Sequence, residues 1–140
     1  MGMPIATKKS GFIAFAFPDV CLTPAPPGSQ IPVPYPNIGQ LSDATKAADG
    51  STGTGEVKAG GDLVILAEAS EIQSTTGDQA GTGGGVKSGT TGGKVTFTAG
   101  SKKVKVHGKE VVRMMDPTSQ NDGNAVGFVL GGVTNVLVGG

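Results

Sequence analysis

The chain has 140 residues, a length that predicts one domain with a modest hydrophobic core. Its 25 glycines, 16% charged residues and 4% aromatic residues describe a composition rich in turns and poor in helix formers, so we expect a mainly β fold. The 11 basic and 11 acidic residues cancel, which excludes the strong positive field that nucleic acids or anionic membranes attract.

The beginning of the chain superficially resembles a signal peptide. Lys8 and Lys9 precede the apolar run GFIAFAF, but this run ends at Pro18 and no small-residue cleavage site follows. No apolar run approaches the roughly 18 residues that a membrane span needs. We therefore expect no signal peptide and no stable membrane insertion by this chain alone. Cys21 is the single cysteine, which excludes an internal disulfide and suits a reducing compartment without excluding export.

A proline-rich segment runs from Phe17 to Gly39 and holds seven of the nine prolines. Each proline fixes φ and removes one backbone donor, so we expect an extended and turned segment with few ladder hydrogen bonds. Apolar residues stand between the prolines, which distinguishes the segment from a linker. We expect its valines, Ile31 and Tyr35 to bury against the rest of the domain; the alternative is a free proline-rich ligand for peptide-binding domains.

Composition divides this single domain, residues 1–140, into three zones. Residues 1–41 form the proline-rich extended segment, which a strand at Gly11–Phe17 enters. Residues 42–92 are a Gly/Ser/Thr loop zone, and residues 93–140 are predicted to form a core of short β-hairpins. Within the loop zone, residues 62–72 are compatible with a short helix or with a buried strand.

The third zone has the alternation of apolar and polar residues that half-buried strands show. Val95 and Phe97 alternate with threonines, and Val104 and Val106 alternate with lysines. With the following run Glu110–Met115, this pattern predicts a three-stranded meander.

A weak internal repeat relates two parts of the third zone at an offset of 32 residues. The matching positions are Phe97, Gly100, Val104, Val106 and Gly108, which recur as Val129, Gly132, Val136, Val138 and Gly140. The repeat predicts two similar hairpins on either side of the polar turn Asp116–Asn124.

The glycine-rich stretch Gly81–Ser88 nearly fits a phosphate-binding loop. Val86 stands where that motif requires its second glycine, and no strong strand or helix flanks the stretch. We therefore interpret it as a plain glycine loop and not as a nucleotide site.

Two residues are candidates for metal binding, Cys21 and His107. A structural zinc ion needs four ligands, and one cysteine with one histidine supplies half of them. The competing interpretation makes Cys21 a small buried hydrophobic residue and His107 a turn residue before glycine. This second interpretation is favoured, so no cofactor is predicted and zinc is doubtful.

No arrangement of serine, histidine and carboxylate indicates catalysis. Asp116 and Asp122 lie in a polar turn with asparagines and glycine, where we expect them to bond local backbone amides. We therefore predict no catalytic residue and no enzymatic activity.

Four pieces of sequence resemble the PAAR-like proteins, in the branch with an N-terminal proline segment. These proteins cap the spike of bacterial type VI secretion systems and related contractile injection machines. The resemblance covers nearly the whole chain, and its first piece is the most specific. The pieces are FPDVCLTPAPPG with PVPYPNIG (residues 17–28 and 32–39), TTGDQAGTGGGVKSG (75–89), SKKVKVHGKEVVRMMDPTSQNDGN (101–124) and VLGGVTNVLVGG (129–140).

The resemblance implies a compact, pointed cap of short β-hairpins on the blunt end of a trimeric β-helical spike, which the cap would sharpen for membrane puncture and link to effectors. Classical members of the family hold a zinc ion near the point through histidines and a cysteine. This chain departs from that pattern, because Gln120 precedes the asparagine of the last turn where many relatives have histidine, and His107 occupies an asparagine-like turn position.

The implied partners are a trimeric spike protein of the VgrG type, with one cap per trimer, and an effector or adaptor protein. No toxin domain is expected in these residues, so an effector would be carried by contact or through another protein. The implied location is the bacterial cytoplasm before firing, followed by export with the apparatus. The alternative function is a small metal-dependent toxin or enzyme fragment built on Cys21, His107 and scattered carboxylates.

Overall fold

The computed structural model describes residues 2–26 and 28–140, and the strands within them confirm the mainly β fold. One short 3₁₀ helix, Leu41–Asp43, accompanies the strands, and no helix in the described part is long and apolar enough to cross a membrane. The strands are β1 (Met3–Ile5), β2 (Ile13–Ala25), β3 (Ser29–Gln40), β4 (Ala44–Thr45), β5 (Lys58–Ala59), β6 (Asp62–Leu63), β7 (Glu71–Ile72), β8 (Gly84–Gly85), β9 (Val95–Phe97), β10 (Lys105–Val106), β11 (Lys109–Glu110), β12 (Pro117–Gln120), β13 (Ala125–Leu130) and β14 (Val133–Val138).

One antiparallel sheet organises the domain. Its strand order is β3-β2-β13-β12-β9-β7-β4, and β8 pairs with β2 beside this path. Three two-stranded pairs, β1 with β14, β5 with β6 and β10 with β11, complete the described strands. The long hairpin of β2 and β3 therefore forms one side of the main sheet, with β3 at its edge.

The proline-rich segment forms much of this long hairpin. The prediction of few ladder hydrogen bonds is wrong, because β2 and β3 pair from Ile13↔Gln40 to Ala25↔Ser29 with a single irregularity. The direction of the backbone groups explains how β3 tolerates its prolines. The N–H and C=O of Ile38 bond to Thr76, on the side of β3 that faces away from β2. Since alternate residues of a strand point the same way, Pro32, Pro34 and Pro36 also have their nitrogens on that outer side, where no ladder bond to β2 is lost.

Burial along the hairpin is uneven. Cys21 and Asn37 are fully buried and Tyr35 is half-buried, but the prediction that Ile31 buries is wrong, since 47% of it is exposed. The reason is that β8 covers β2 only at Cys21 and Leu22, so the far end of the hairpin has no strand beside it.

The segment 62–72 contains no helix: residues 62–66 and 71–72 are extended, and residues 67–69 form a turn between them. After β6, Ile65 bonds both Ala6 and Val112 through its backbone, and Leu66 bridges to Val111. Ala67 continues this contact through the C=O of Glu110. Partners on both sides satisfy the backbone N–H and C=O groups of this buried apolar segment as fully as a helix would.

The predicted meander and the predicted pair of similar hairpins do not form. β9 pairs with β7 and β12, whereas β10 pairs with β11 through the turn at His107 and Gly108. β13 pairs with β2 and β12, and β14 pairs with β1. Val95 and Phe97 are fully buried, so β9 must lie in the interior of the sheet with a strand on each side. The lysines in and beside β10 need contact with water, so β10 cannot be one of these neighbouring strands.

The apolar core is built of two clusters of small and β-branched residues. The first packs beneath the main sheet, and the second lies beside the β1–β14 pair. Their larger buried members are Leu41, Ile65, Ile72, Val95 and Phe97 in the first, and Ile5, Val64, Leu66 and Val111 in the second. Next to the first cluster, the long hairpin buries polar residues.

Candidate functional site

A cluster of buried polar side chains joins four parts of the chain, and we call it the polar knot. β2 contributes two of its residues, β3 one, the loop after β7 one, and the turn between β12 and β13 two. All but one of them have no solvent exposure, and the last, Asn124, is 8% exposed. The polar knot consists of Asp19, Cys21, Asn37, Asp78, Asn121 and Asn124.

A bulge in β2 turns Asp19 and Cys21 inwards. Ala14 and Ala16 are buried before the bulge, so an unbroken strand would continue to bury even-numbered positions. The register shifts between Ala16 and Asp19, where β2 has one residue more than β3. One extra residue reverses the facing of every later side chain, which places the aspartate and the cysteine inside.

Asp19 is the centre of the polar knot. Its Oδ1 accepts N–H groups from the side-chain amides of Asn121 at 3.1 Å and Asn124 at 2.5 Å. Its Oδ2 accepts from Asn37 at 3.1 Å and again from Asn121 at 3.2 Å. Each amide has one hydrogen for Asp19, because its other hydrogen is donated elsewhere, so three of the roughly four acceptor positions of the carboxylate are filled by amides. A buried ionised carboxylate is thereby hydrogen-bonded without a cation.

The backbone fixes the orientation of the two amides from the β12–β13 turn. Asn121 accepts the Gly93 N–H at 2.7 Å and donates to the Thr90 C=O at 2.7 Å. Asn124 accepts the Lys87 N–H at 2.8 Å and donates to the Val20 C=O at 3.0 Å. Each oxygen therefore faces a backbone donor, and each NH₂ group faces Asp19.

Asn37 is fixed in the same manner by side chains. Its oxygen accepts from Gln120 at 2.9 Å, and its NH₂ group donates to Thr75 at 2.8 Å. The Thr75 hydroxyl donates its own hydrogen to the Gly93 C=O at 2.9 Å, so its oxygen is available to accept the bond from Asn37. Gln120, the residue that stands where many relatives have histidine, thus serves as a buried structural donor.

Asp78 and Cys21 complete the polar knot. The pKa of Asp78 is raised to about 6, chiefly by burial and secondly by the contact with Asp19. Burial and the negative charges of Asp19 and Asp78 raise the pKa of Cys21 to about 12. Cys21 is thus a thiol at neutral pH, and its hydrogen points to Asp19 at 3.6 Å or to Asp78 at 3.9 Å. Asp78 Oδ1 is buried without a hydrogen-bond partner.

The glycine loop closes the polar knot from outside. Gly84 and Gly85 form β8 against β2, and a side chain at Gly81 or Gly85 would collide with Cys21 or Asn124. Backbone N–H groups of the loop donate to the side chain of Asn124 and to C=O groups of β2, so they are not free for a phosphate, in agreement with the prediction of a plain loop.

A metal ion does not fit the polar knot as a zinc site. Asp19, Cys21 and Asp78 each offer one ligand atom within 4.8 Å of the others, which is a compact donor set. Zinc needs four ligands, however, and both oxygens of Asp19 already accept amide hydrogens. The Cys21 thiol and the unbonded Asp78 oxygen supply only two of the four ligands that zinc needs, so zinc does not fit this site.

The sequence candidates fall in different places. Cys21 belongs to the polar knot. His107 lies in the turn between β10 and β11 at φ 54°, as its asparagine-like position predicted, with its Nδ1 2.8 Å from the Thr52 hydroxyl, and it is outside the group that offers metal ligands. Asp116 bonds the backbone and guanidinium of Arg113, which fits the predicted local role.

Sequence reasoning missed the three asparagines and both aspartates of the polar knot. It assigned the β12–β13 turn to local hydrogen bonding, although Asn121 and Asn124 reach across the fold. The available signal was an aspartate inside an apolar, proline-flanked run, where a charge needs buried partners.

Fold and site together define a small all-β domain whose long proline-bearing hairpin is closed over a buried carboxylate. The chain belongs to the toxin PAAR-like domain family, whose model matches residues 12–127. The match includes every residue of the polar knot.

The chain is also similar to a curated protein. The chain is 38% identical over 125 residues to DNase toxin Tse7 of Pseudomonas aeruginosa. The aligned region covers 85% of this chain and 31% of that toxin, so the chain spans about a third of the relative. No solved structure matches the chain.

Proposed function

We propose that the domain is a non-enzymatic spike-tip cap, which binds the blunt end of a trimeric β-helical spike and links an effector to it. The observation that carries the proposal is the family match over residues 12–127. One cap serves one trimer, and the spike is a VgrG-type protein. The domain resides in the bacterial cytoplasm before firing and leaves with the apparatus.

The chemistry of the polar knot supports a structural role over a catalytic one. Asp19 and Cys21 are fully buried, and the amides around Asp19 hold it at both oxygens. A thiol with a pKa of about 12 is a poor nucleophile near neutral pH. The polar knot therefore serves to hold segments of the chain together.

The long hairpin supports a role under mechanical load. β2 and β3 form the largest paired element, and the prolines on the outer side of β3 stiffen it without loss of ladder bonds to β2. Prolines at an open edge also discourage pairing with unrelated chains. These properties suit a cap that stays monomeric until it meets its spike.

The relative suggests what the cap carries. DNase toxin Tse7 shares with this chain a region equal to 31% of its own length. We propose that this shared region is the part that delivers the toxin and that a nuclease activity belongs elsewhere in that protein. The domain described here would then deliver a toxin of which it is a part or which it holds by contact.

Complex formation with a spike tests this proposal. The full chain is mixed with a trimeric VgrG-type spike, and the molar mass of the complex is measured by size exclusion with light scattering. We expect one cap per three spike chains, and no complex with a spike that lacks its last β-helical turn. Absence of a complex with the intact spike, or equal binding to the truncated one, would contradict the proposal.

A metal-dependent toxin or enzyme is the second candidate, and the close approach of Asp19, Cys21 and Asp78 is the observation that favours it. Incubation of the full chain with plasmid DNA and Mg²⁺, Mn²⁺ or Zn²⁺ tests it. We expect intact plasmid in every case. Cleavage that disappears in Asp78→Asn would establish the enzyme instead.

A further inference from the structure

We propose that the amide-held carboxylate of Asp19 cross-links the domain in place of a structural metal ion, and that this domain reaches its native fold without metal. The proposal concerns how the fold is held together and does not depend on whether the domain caps a spike.

The polar knot joins segments that are remote in sequence, as a structural metal does. Asp19 bonds Asn37 at a separation of 18 residues, and Asn121 and Asn124 at separations of 102 and 105 residues. Through Asn37, which donates to Asp78 at 3.3 Å, the loop after β7 joins as well. Asp19 thus ties β2 directly to β3 and to the β12–β13 turn, and it is joined to the loop through Asn37.

The acceptor positions of Asp19 are occupied by protein. Its two oxygens receive four amide contacts between 2.5 and 3.2 Å, and the Cys21 thiol lies 3.6 Å from Oδ1. A metal ion would need one of these lone pairs and would face amide hydrogens, which are positively polarised. Hydrogen bonds and a cation compete for the same oxygens, and here the hydrogen bonds hold them.

The amides cannot turn to offer oxygen to a metal at low cost. Rotation of Asn121 would place its NH₂ group against the Gly93 N–H, and rotation of Asn124 would do the same with the Lys87 N–H. Each rotation would also leave a backbone C=O, at Thr90 or Val20, without its donor. Buried polar groups without partners are strongly disfavoured.

The charge is balanced locally by these dipoles. In the part of the chain that the structure describes, no lysine or arginine side chain bonds to the polar knot, and the salt bridges all lie outside it. A carboxylate that accepts several N–H groups is stable in its charged form without a counter-ion. The three asparagines therefore stabilise the charge of Asp19, as a bound cation would.

Metal content and chelator sensitivity test the proposal directly. The full chain is purified without a metal-affinity step, its zinc, iron and manganese are quantified, and its Tm is measured in EDTA and in added ZnCl₂. We expect far less than one ion per chain and the same Tm, within about 1 °C, in both solutions. One tightly held ion per chain, or a Tm that falls in EDTA, would overturn the proposal.

Two variants separate an amide-held carboxylate from a metal site. Asp19→Asn removes the acceptor charge, and we expect Tm to fall by about 10 °C or more. Asn121→Ala removes a donor to Asp19 and adds no ligand, so we expect a fall of several degrees that added zinc does not reverse. If the polar knot were a metal site, Asn121→Ala would leave Asp19, Cys21 and Asp78 free to hold the ion, and zinc would raise Tm.

Asp122→Asn is the matched control, because Asp122 is an exposed aspartate next to Asn121 in the same turn. It removes the same charge and should leave Tm within about 1 °C of the native value. If Asp19→Asn fails to fold, the zinc response of Asn121→Ala still decides the matter. An unchanged Tm in Asp19→Asn would also overturn the proposal.

Discussion

Asn124 donates a side-chain N–H to Asp19 Oδ1 at 2.5 Å, across 105 residues of chain. The same asparagine accepts the Lys87 and Ser88 N–H groups, so it also fixes the glycine loop. One side chain thus connects the start of the long hairpin, the loop that covers it and the last turn of the sheet. Its loss should affect all three.

Replacement of Asn124 by alanine should destabilise the domain. The change leaves two part-buried backbone donors and part of the buried Asp19 charge without partners, at a cost of about 2–4 kcal/mol. Urea unfolding measures the free energy, and hydrogen exchange should show faster opening at residues 86–89. Asn135→Ala, at an exposed position of β14, is the matched control and should be neutral. Equal stability of the two variants would contradict the role of Asn124.

The stability of the domain should rise when Asp78 becomes neutral. Its pKa is about 6 in the folded chain, above the ordinary value of 3.8, so the folded state binds the proton more tightly than the unfolded state. Protonation therefore favours folding, and this contribution, up to about 3 kcal/mol, is lost as the pH rises through about 6.

Asp78→Asn tests this sign. The variant keeps an oxygen for the Gly92 N–H and lacks the charge, so we expect greater stability than the native chain at pH 8 and a smaller difference at pH 4.5. Urea unfolding across this pH range gives the comparison. A variant less stable than the native chain at pH 8 would show that the Asp78 charge is needed.

Cys21 should be unreactive in the folded protein. It is fully buried, and its pKa of about 12 lies above the ordinary 9.0, which lowers the thiolate fraction about 1000-fold. Labelling with a thiol reagent at pH 8 should be slow in buffer and fast in urea. Rapid labelling of the folded chain would indicate that the glycine loop opens readily.

The glycine loop should not tolerate a side chain at Gly85. A Cβ there would overlap the amide of Asn124, so Gly85→Ala should cost about 1–3 kcal/mol. Gly139→Ala is the control, because a Cβ at Gly139 meets no atom within 4 Å. Thermal unfolding of both variants measures the difference, and equal Tm values would show that the loop can move aside.

The prolines of β3 should protect an open sheet edge. A triple change of Pro32, Pro34 and Pro36 to threonine restores three outward N–H donors on a long strand. We expect concentration-dependent self-association, measured by light scattering, while the native chain stays monomeric at the same concentrations. A variant that also remains monomeric would show that the edge is protected by other means.

The sequence by itself determined the mainly β fold, the extended proline segment, the turn at His107 and the family. These features depend on composition and on short patterns: proline fixes φ, glycine permits tight turns, and alternation marks strands. The family pattern also lies in contiguous stretches such as FPDVCLTPAPPG. None of these inferences requires knowledge of which segments meet in space.

Only the tertiary structure decided the pairing of β9, the facing of Asp19 and the assembly of the polar knot. One extra residue in β2 reverses the facing of Asp19, and alternation read from sequence does not show where such a bulge falls. The bonds from Asn121 and Asn124 span more than 100 residues, so they exist only once the sheet has formed. Buried hydrogen bonds depend on that register because each donor must meet its acceptor within about 3 Å.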